Sequence, residues 1–191
     1  MRALTLYARS RQAPASLAAV LIGAVAVAAL ARLGGGALDD PRLATLVLVM
    51  GMTAVSVGLG GQDLALDRTA AIGWMPRRAA HLLLCGAFVG GVLLAAQSLS
   101  GQPVSFSFVA RNSAGLLGLV AVGAAWGGVA YAWLPPFAWL SVSLVAPSST
   151  DTASQVLGWM LREPGAQAAT WTAVVLAVVG TTVYVVGGPR R

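Results

Sequence analysis

The sequence predicts an all-α integral membrane protein, a single transmembrane domain over 1–191 with six transmembrane helices. A cytoplasmic amphipathic helix follows the second span, and a short outer or re-entrant helix precedes the last. Three observations lead there. Of the 191 residues, 58% are hydrophobic and 9% charged, whereas a soluble domain carries about 25% charged residues; mean hydropathy is +0.80. Uncharged apolar stretches recur at close to the roughly 20 residues a helix needs to cross about 30 Å of hydrocarbon. The arginines, finally, alternate in density from one connection to the next.

The stretches 14–31, 43–61, 79–99 and 113–134 contain no Asp, Glu, Lys or Arg, and 170–187 is just long enough to join them. The basic start and alanine-rich core of 1–31 share features with a signal peptide, but the apolar run is longer than a typical h-region, so an uncleaved first span is expected. The run 135–147 opens with Pro135-Pro136 and closes at Pro147. Runs this short are often re-entrant or interfacial; charge counts it as a span. With the N-terminus in the cytoplasm and six spans, the inner segments hold Arg2, Arg9, Arg11, Arg68, Arg77, Arg78, Arg190 and Arg191 against Asp63 and Asp67. The outer segments hold Arg32, Arg42, Arg111 and Arg162 with Asp39, Asp40, Asp151 and Glu163. Cytoplasmic ends carry the arginine excess, and five spans would strand Arg190-Arg191 outside. Both termini are thus expected in the cytoplasm, and the protein in the plasma membrane.

Composition removes whole classes of chemistry. All twelve basic residues are arginine, so there is no lysine for a Walker-A loop or a Schiff base. The single histidine and single cysteine, His81 and Cys85, exclude an intrachain disulfide framework and argue against a metal cage. Four residues apart, they share a helix face and read as a packed pair. No HExxH or GxSxG occurs and Glu163 is the one glutamate, so no enzyme and no bound cofactor are expected. The spans lack the carboxylates that serve as proton relays. The excess of +6 is too dispersed for a nucleic-acid binder.

The connections carry more information. In 61–78, Gln62 and Asp63 can open a helix with Asp63 and Asp67 near its positive end. Leu66, Ala70 and Trp74 then share one face, and Pro76 stops or bends it before Arg77-Arg78. This fits an amphipathic helix resting on the membrane with snorkelling arginines, or a docking helix for a cytoplasmic protein; composition favours the first. In 148–167, Thr152 and Gln155 have the spacing of a capping box, apolar residues follow, and Pro164-Gly165 closes the element. Too short to cross, it is expected at the outer rim with Trp159 at headgroup level, or dipping inward. Arg111-Asn112, just ahead of the fourth span, are an anchor or a functional polar pair. Tyr131, Trp133, Trp139 and Trp171 read as aromatic belts. Gly86 with Gly90, and Gly123 with Gly127, fit GxxxG helix packing, a weak pattern among 23 glycines.

The run Asp63-x-Ala-Leu-Asp67-Arg68-Thr-Ala with Trp74-x-Pro-Arg77-Arg78 resembles small six-span membrane subunits of actinobacterial ABC exporters. So do Arg111-Asn112-x-x-Gly-Leu-Leu-Gly118 leading to Trp133-Leu-Pro-Pro-Phe-Ala-Trp139, and Tyr184-x-x-x-Gly-Pro-Arg-Arg191. The resemblance implies a type-two exporter permease that lies in the lipid bilayer. It would couple to a separate ABC ATPase carrying ATP and Mg, and form the pathway with a second six-span subunit, identical or companion. It implies a coupling helix at 62–78, with Asp63, Asp67, Arg68, Trp74, Arg77 and Arg78 meeting the ATPase, and a re-entrant element at 152–163. The short 1–13 departs from the family's long amphipathic N-terminal helix. The rival expectation is a non-transporting membrane scaffold or sensor partner.

Overall fold

The first long helix starts where backbone chemistry requires. In the computed structural model, which describes residues 18, 20–23, 25, 40–59, 74–98 and 105–189, Asp40 accepts a hydrogen bond from the Arg42 amide at 2.8 Å. Pro41, whose missing N–H costs nothing in a first turn, then opens α1, Pro41–Ser56, which tightens into a 3-10 turn at Val57–Leu59. α2 is Trp74–Ser98, α3 is Phe106–Trp126, α4 is Leu134–Val145, α5 is Thr152–Leu157 and α6 is Gln167–Gly187. Among the described residues there is no strand.

Several expected boundaries move, each for a local reason. The third predicted span is helical from Trp74 rather than from 79: Pro76 lies in the first turn of α2 as described, where its lack of an N–H is tolerated. Trp74, Arg77 and Arg78 therefore belong to α2. The fourth begins at Phe106 rather than 113 and ends at Trp126 rather than 134, so Arg111 and Asn112 lie inside α3. A 3-10 turn at Val129–Tyr131 then reverses the chain. α4, the expected fifth span, has 12 residues and rises about 18 Å, too short to cross a bilayer alone. Among the described residues four helices are long and apolar enough to cross a membrane. The first predicted span, 14–31, lies largely outside the described residues; its described positions are helical. Most of 61–78, with Asp63, Asp67 and Arg68, lies outside them too.

α3 is the axis of the bundle: 83% of its apolar window is buried, against 28% in α2 and 22% in α6. Backbone proximity explains how α6 reaches it. A Cβ on Gly118 would fall on the backbone of Leu176, and one on Gly180 on the backbone of Gly118. Absent side chains let two helices approach where apolar surroundings supply no hydrophobic driving force. α2 meets α3 in antiparallel register, Gly86 opposite Leu117 and Gly90 opposite Ser113, while α6 runs parallel to α3, Gly115 opposite Ala173 and Gly118 opposite Leu176 and Ala177. At one face of the bundle Tyr184 donates its hydroxyl to the Leu59 carbonyl at 2.7 Å. There too the Arg78 guanidinium packs on Gly188, whose φ of +71° is the left-handed conformation glycine tolerates. The end of α1, the start of α2 and the end of α6 therefore meet on one side.

Replacing Gly118 with leucine puts side-chain atoms where backbone lies and should destabilise the protein by about 3 kcal/mol or more, read as a lowered unfolding midpoint in mixed micelles. Gly91→Ala, with open space around its Cβ, should leave that midpoint unchanged or raised, because alanine is the better helix former.

Candidate functional site

Between α5 and α6 the chain leaves helical geometry, and its backbone turns into the protein rather than out of it. Trp159 and Met160 are fully buried, so Trp159 faces the bundle interior rather than standing as an exposed belt residue; its ring lies where a Cβ of Gly115 would be. The element is also shorter than expected, ending at Leu157 with Gly158 as its cap. Its start is set by Asp151, which accepts from the Ser154 amide at 3.0 Å. The expected Thr152–Gln155 box does not form: Gln155 donates to the Thr150 carbonyl at 2.8 Å, because the aspartate one residue upstream already occupies the capping position.

The carbonyls of this break need donors, since a helix end leaves its last C=O groups without intrahelical partners. Arg111 supplies most of them from the second turn of α3. Its guanidinium donates to the Glu163 carbonyl at 2.9 Å, the Trp159 carbonyl at 3.1 Å and the Arg162 carbonyl at 2.5 Å, and its Nε donates to Asn112 Oδ1 at 3.2 Å. Asn112 turns its amide to the Met160 carbonyl at 2.6 Å, which also receives the Thr45 hydroxyl of α1 at 3.1 Å. One turn earlier, Ser143 and Trp139 of α4 donate to the Leu157 carbonyl at 2.9 and 3.2 Å; Trp139 is thus a structural donor rather than a free belt residue. Arg162 reaches back to the carbonyls of Pro147, Ser148 and Ser149 at 2.6, 3.0 and 2.9 Å. Arg111 is 8% exposed and Asn112 wholly buried, and the Phe108 ring lies 5.5 Å from the guanidinium carbon. Every acceptor of Arg111 is an amide oxygen, and a cation set against helix-end carbonyls is favourably placed.

The other sequence-predicted residues are dispersed. Arg77 is exposed, while Arg78 is partly buried against Gly188. Gly86 and Gly90 lie in the α2–α3 contact, their would-be Cβ atoms 3.0 Å from Leu117 and 2.9 Å from Ser113 Oγ. Gly123 and Gly127 instead accommodate the chain's own reversal, where a Cβ would stand 2.9 Å from Ala132 Cα and 3.0 Å from Tyr131 Cβ respectively. Cys85 Sγ is 3.8 Å from His81 Nε2, and among the described residues no cluster of three metal-ligating side chains occurs. Tyr131, Trp133 and Trp171 are exposed. Sequence reasoning missed Thr45, Ser143 and Gly115; only the adjacent Arg111-Asn112 pair signalled the centre.

The fold is an all-helical one with apolar helices long enough to cross a membrane, and its site is a backbone break buried against an arginine. No protein-family model, curated protein or solved structure matches this chain.

Arg111→Ala leaves several carbonyls without donors and should cost about 3 kcal/mol or more in denaturant unfolding in micelles. Arg111→Lys keeps the charge but not the fork and should recover only part of that loss. Asp151 lies outside the long helices, and hydrogen bonds from the Ser149 hydroxyl and then the Ser154 amide pull its pKa from 3.8 to about 2. A lowered folded-state value means the cap's contribution is present above pH 4 and is lost as pH falls toward 2. The Asp151 carboxyl carbon should titrate near 2 by NMR, returning toward 3.8 in Ser149→Ala.

Proposed function

We propose that this chain is the membrane-embedded permease subunit of an ATP-driven exporter of the type-two ABC class. It would have six spans with both termini in the cytoplasm of the plasma membrane, and couple to a separate ATPase. The observation that carries the reading is the short helix and inward-turned backbone at 152–163, between α4, which in the proposal crosses together with the 3-10 turn ahead of it (Val129–Val145), and the last long helix. A re-entrant element at that place in the chain is what the sequence resemblance implies. The convergence of the end of α1, the start of α2 and the end of α6 on one face supports it too. In the proposal that face is cytoplasmic, and the connection 62–78 with Arg77 would meet the ATPase there.

Mechanistically, ATP binding on the partner would close two ATPases, and the connection between α1 and α2 would pass that displacement to α2 as a rigid lever. The carbonyl clamp at Arg111 would keep the outer element fixed to α1, α3 and α4 as the bundle moves. The spans carry no carboxylate to hold a hydrophilic cation, so the cargo would be apolar or amphipathic.

Affinity purification of the full chain from its native membrane in mild detergent should recover an ATPase subunit, and Arg77→Glu should weaken that recovery roughly tenfold, the equivalent of about 1.4 kcal/mol. Recovery of the chain without any nucleotide-binding subunit, with associations indifferent to Arg77→Glu, would overturn the proposal in favour of a membrane scaffold or sensor partner.

A further inference from the structure

At the end of the bundle where α1, α3 and α6 begin, the break between α4 and α6 leaves a cavity of about 230 Å³ against the first turn of α1. Its charged lining is Asp40 and Arg42 at the start of α1 and Arg162 from the broken segment. Arg162 gives three N–H donors to the carbonyls of Pro147, Ser148 and Ser149. A guanidinium has five, so its Nε and one hydrogen of Nη1 remain. Nε lies beside Gly158, where a Cβ would stand 3.6 Å from it, and Gly158 lines the cavity as well. Among the described residues neither arginine is paired with a carboxylate, and the exposed Arg42 guanidinium has no hydrogen-bond partner. Two guanidinium charges against the Asp40 carboxylate, whose Oδ1 already accepts the Arg42 amide, leave the lining positive by one charge. Leu144, Ala146 and Leu161 make its other side apolar. The apolar window Pro41–Leu59 has 19 residues and rises about 28 Å, close to the hydrocarbon thickness of about 30 Å. Arg42, second in that window, therefore stands at the boundary between hydrocarbon and headgroups.

We propose that this cavity binds the phosphodiester of a membrane lipid headgroup between Arg42 and Arg162. Guanidinium N–H groups suit phosphate oxygens in geometry and charge. The single negative charge of a phosphodiester neutralises the lining, whereas a phosphate dianion would overshoot it. The apolar side receives the glycerol carbons that follow the phosphate, and the boundary is the depth at which such a group lies. Inorganic phosphate shares the charge but has nothing to set against the apolar side. The assignment rests on the membrane character of the chain and holds whether or not it works with an ATPase.

The test uses the full chain in maltoside micelles and phosphate-free buffer, with a phosphatidylglycerol analogue that carries a photoactivatable diazirine on its headgroup and adducts mapped by mass spectrometry. Adducts should concentrate on 144–148 and 158–162, roughly fivefold over Ser105 and Phe106, which are exposed at the same end of the bundle. Arg42→Gln should lower cavity labelling roughly tenfold, the scale of one hydrogen bond to a charged group, and Arg42→Lys, which keeps the charge, should restore most of it. Leu144→Glu sets a carboxylate into the cavity from an exposed position and should remove the excess; should one variant fail to fold, the other reads the same point. An analogue with a neutral carbamate in place of the phosphodiester should label only at the level of Ser105 and Phe106, and inorganic phosphate in roughly tenfold excess over the probe should leave cavity labelling unchanged. Equal labelling of the cavity and of Ser105 and Phe106, or an excess that survives both Arg42→Gln and Leu144→Glu, would overturn the proposal. So would equal labelling by the neutral analogue, or displacement of the probe by inorganic phosphate, which would make the ligand a free anion rather than a lipid.

Discussion

The structure depends on a requirement imposed by buried backbone: carbonyls that leave helical geometry away from water must find donors within the protein. Between Leu157 and Glu163 the chain makes such a departure, fully buried at Gly158, Trp159 and Met160 and partly exposed at its flanks. The carbonyls of Leu157, Trp159, Met160, Arg162 and Glu163 are answered by side chains of α1, α3 and α4. A segment without long helical hydrogen bonding is thereby held by three separate helices. Its position is fixed by the placement of Thr45, Arg111, Asn112 and Ser143, and by the ring of Trp159 resting on Gly115.

That requirement reconciles two features that otherwise conflict. An arginine in the apolar body of a helical bundle is costly unless its donors are used, and broken backbone in the same place is costly unless its acceptors are used. Each satisfies the other. The planar fork suits the task because several carbonyls converge from one turn of chain, a geometry a single ammonium would meet less completely. Close packing of α6 on α3 at Gly118 and Gly180 carries the consequence along the bundle, and α1 is tied at both ends, through Thr45 to the segment leading into α6 and through Leu59 to Tyr184 of α6.

The long helices were legible because hydropathy and length suffice for them, and their boundaries were less so. Pro76 reads as a stop in sequence, yet in a first turn it is compatible with a start. Arg111 and Asn112 read as residues outside an apolar run, because sequence alone does not reveal that their polar groups have partners 48 or more positions away. The capping box expected at Thr152 and Gln155 does not form, because Asp151, one residue upstream, is the N-cap. Trp159 was assigned to an interface on the rule for tryptophans at span ends; the small face of Gly115 that buries it lies in another helix. The GxxxG pattern found Gly86 and Gly90 in a helix contact but not Gly118 and Gly180, whose pairing spans two helices and follows no local spacing.

The dependence of the buried segment on Arg111 is open to direct measurement by hydrogen–deuterium exchange on the full chain in lipid nanodiscs, comparing wild type with Arg111→Gln. The account predicts slow exchange across 158–166 in the wild type, and exchange there faster by roughly a hundredfold in the variant, which corresponds to a loss near 3 kcal/mol of local protection, with α2 and the middle of α6 unchanged. Equal protection of 158–166 in both proteins, with α3 intact, would mean that the segment is held by packing of Trp159 and Met160 alone and would contradict the account.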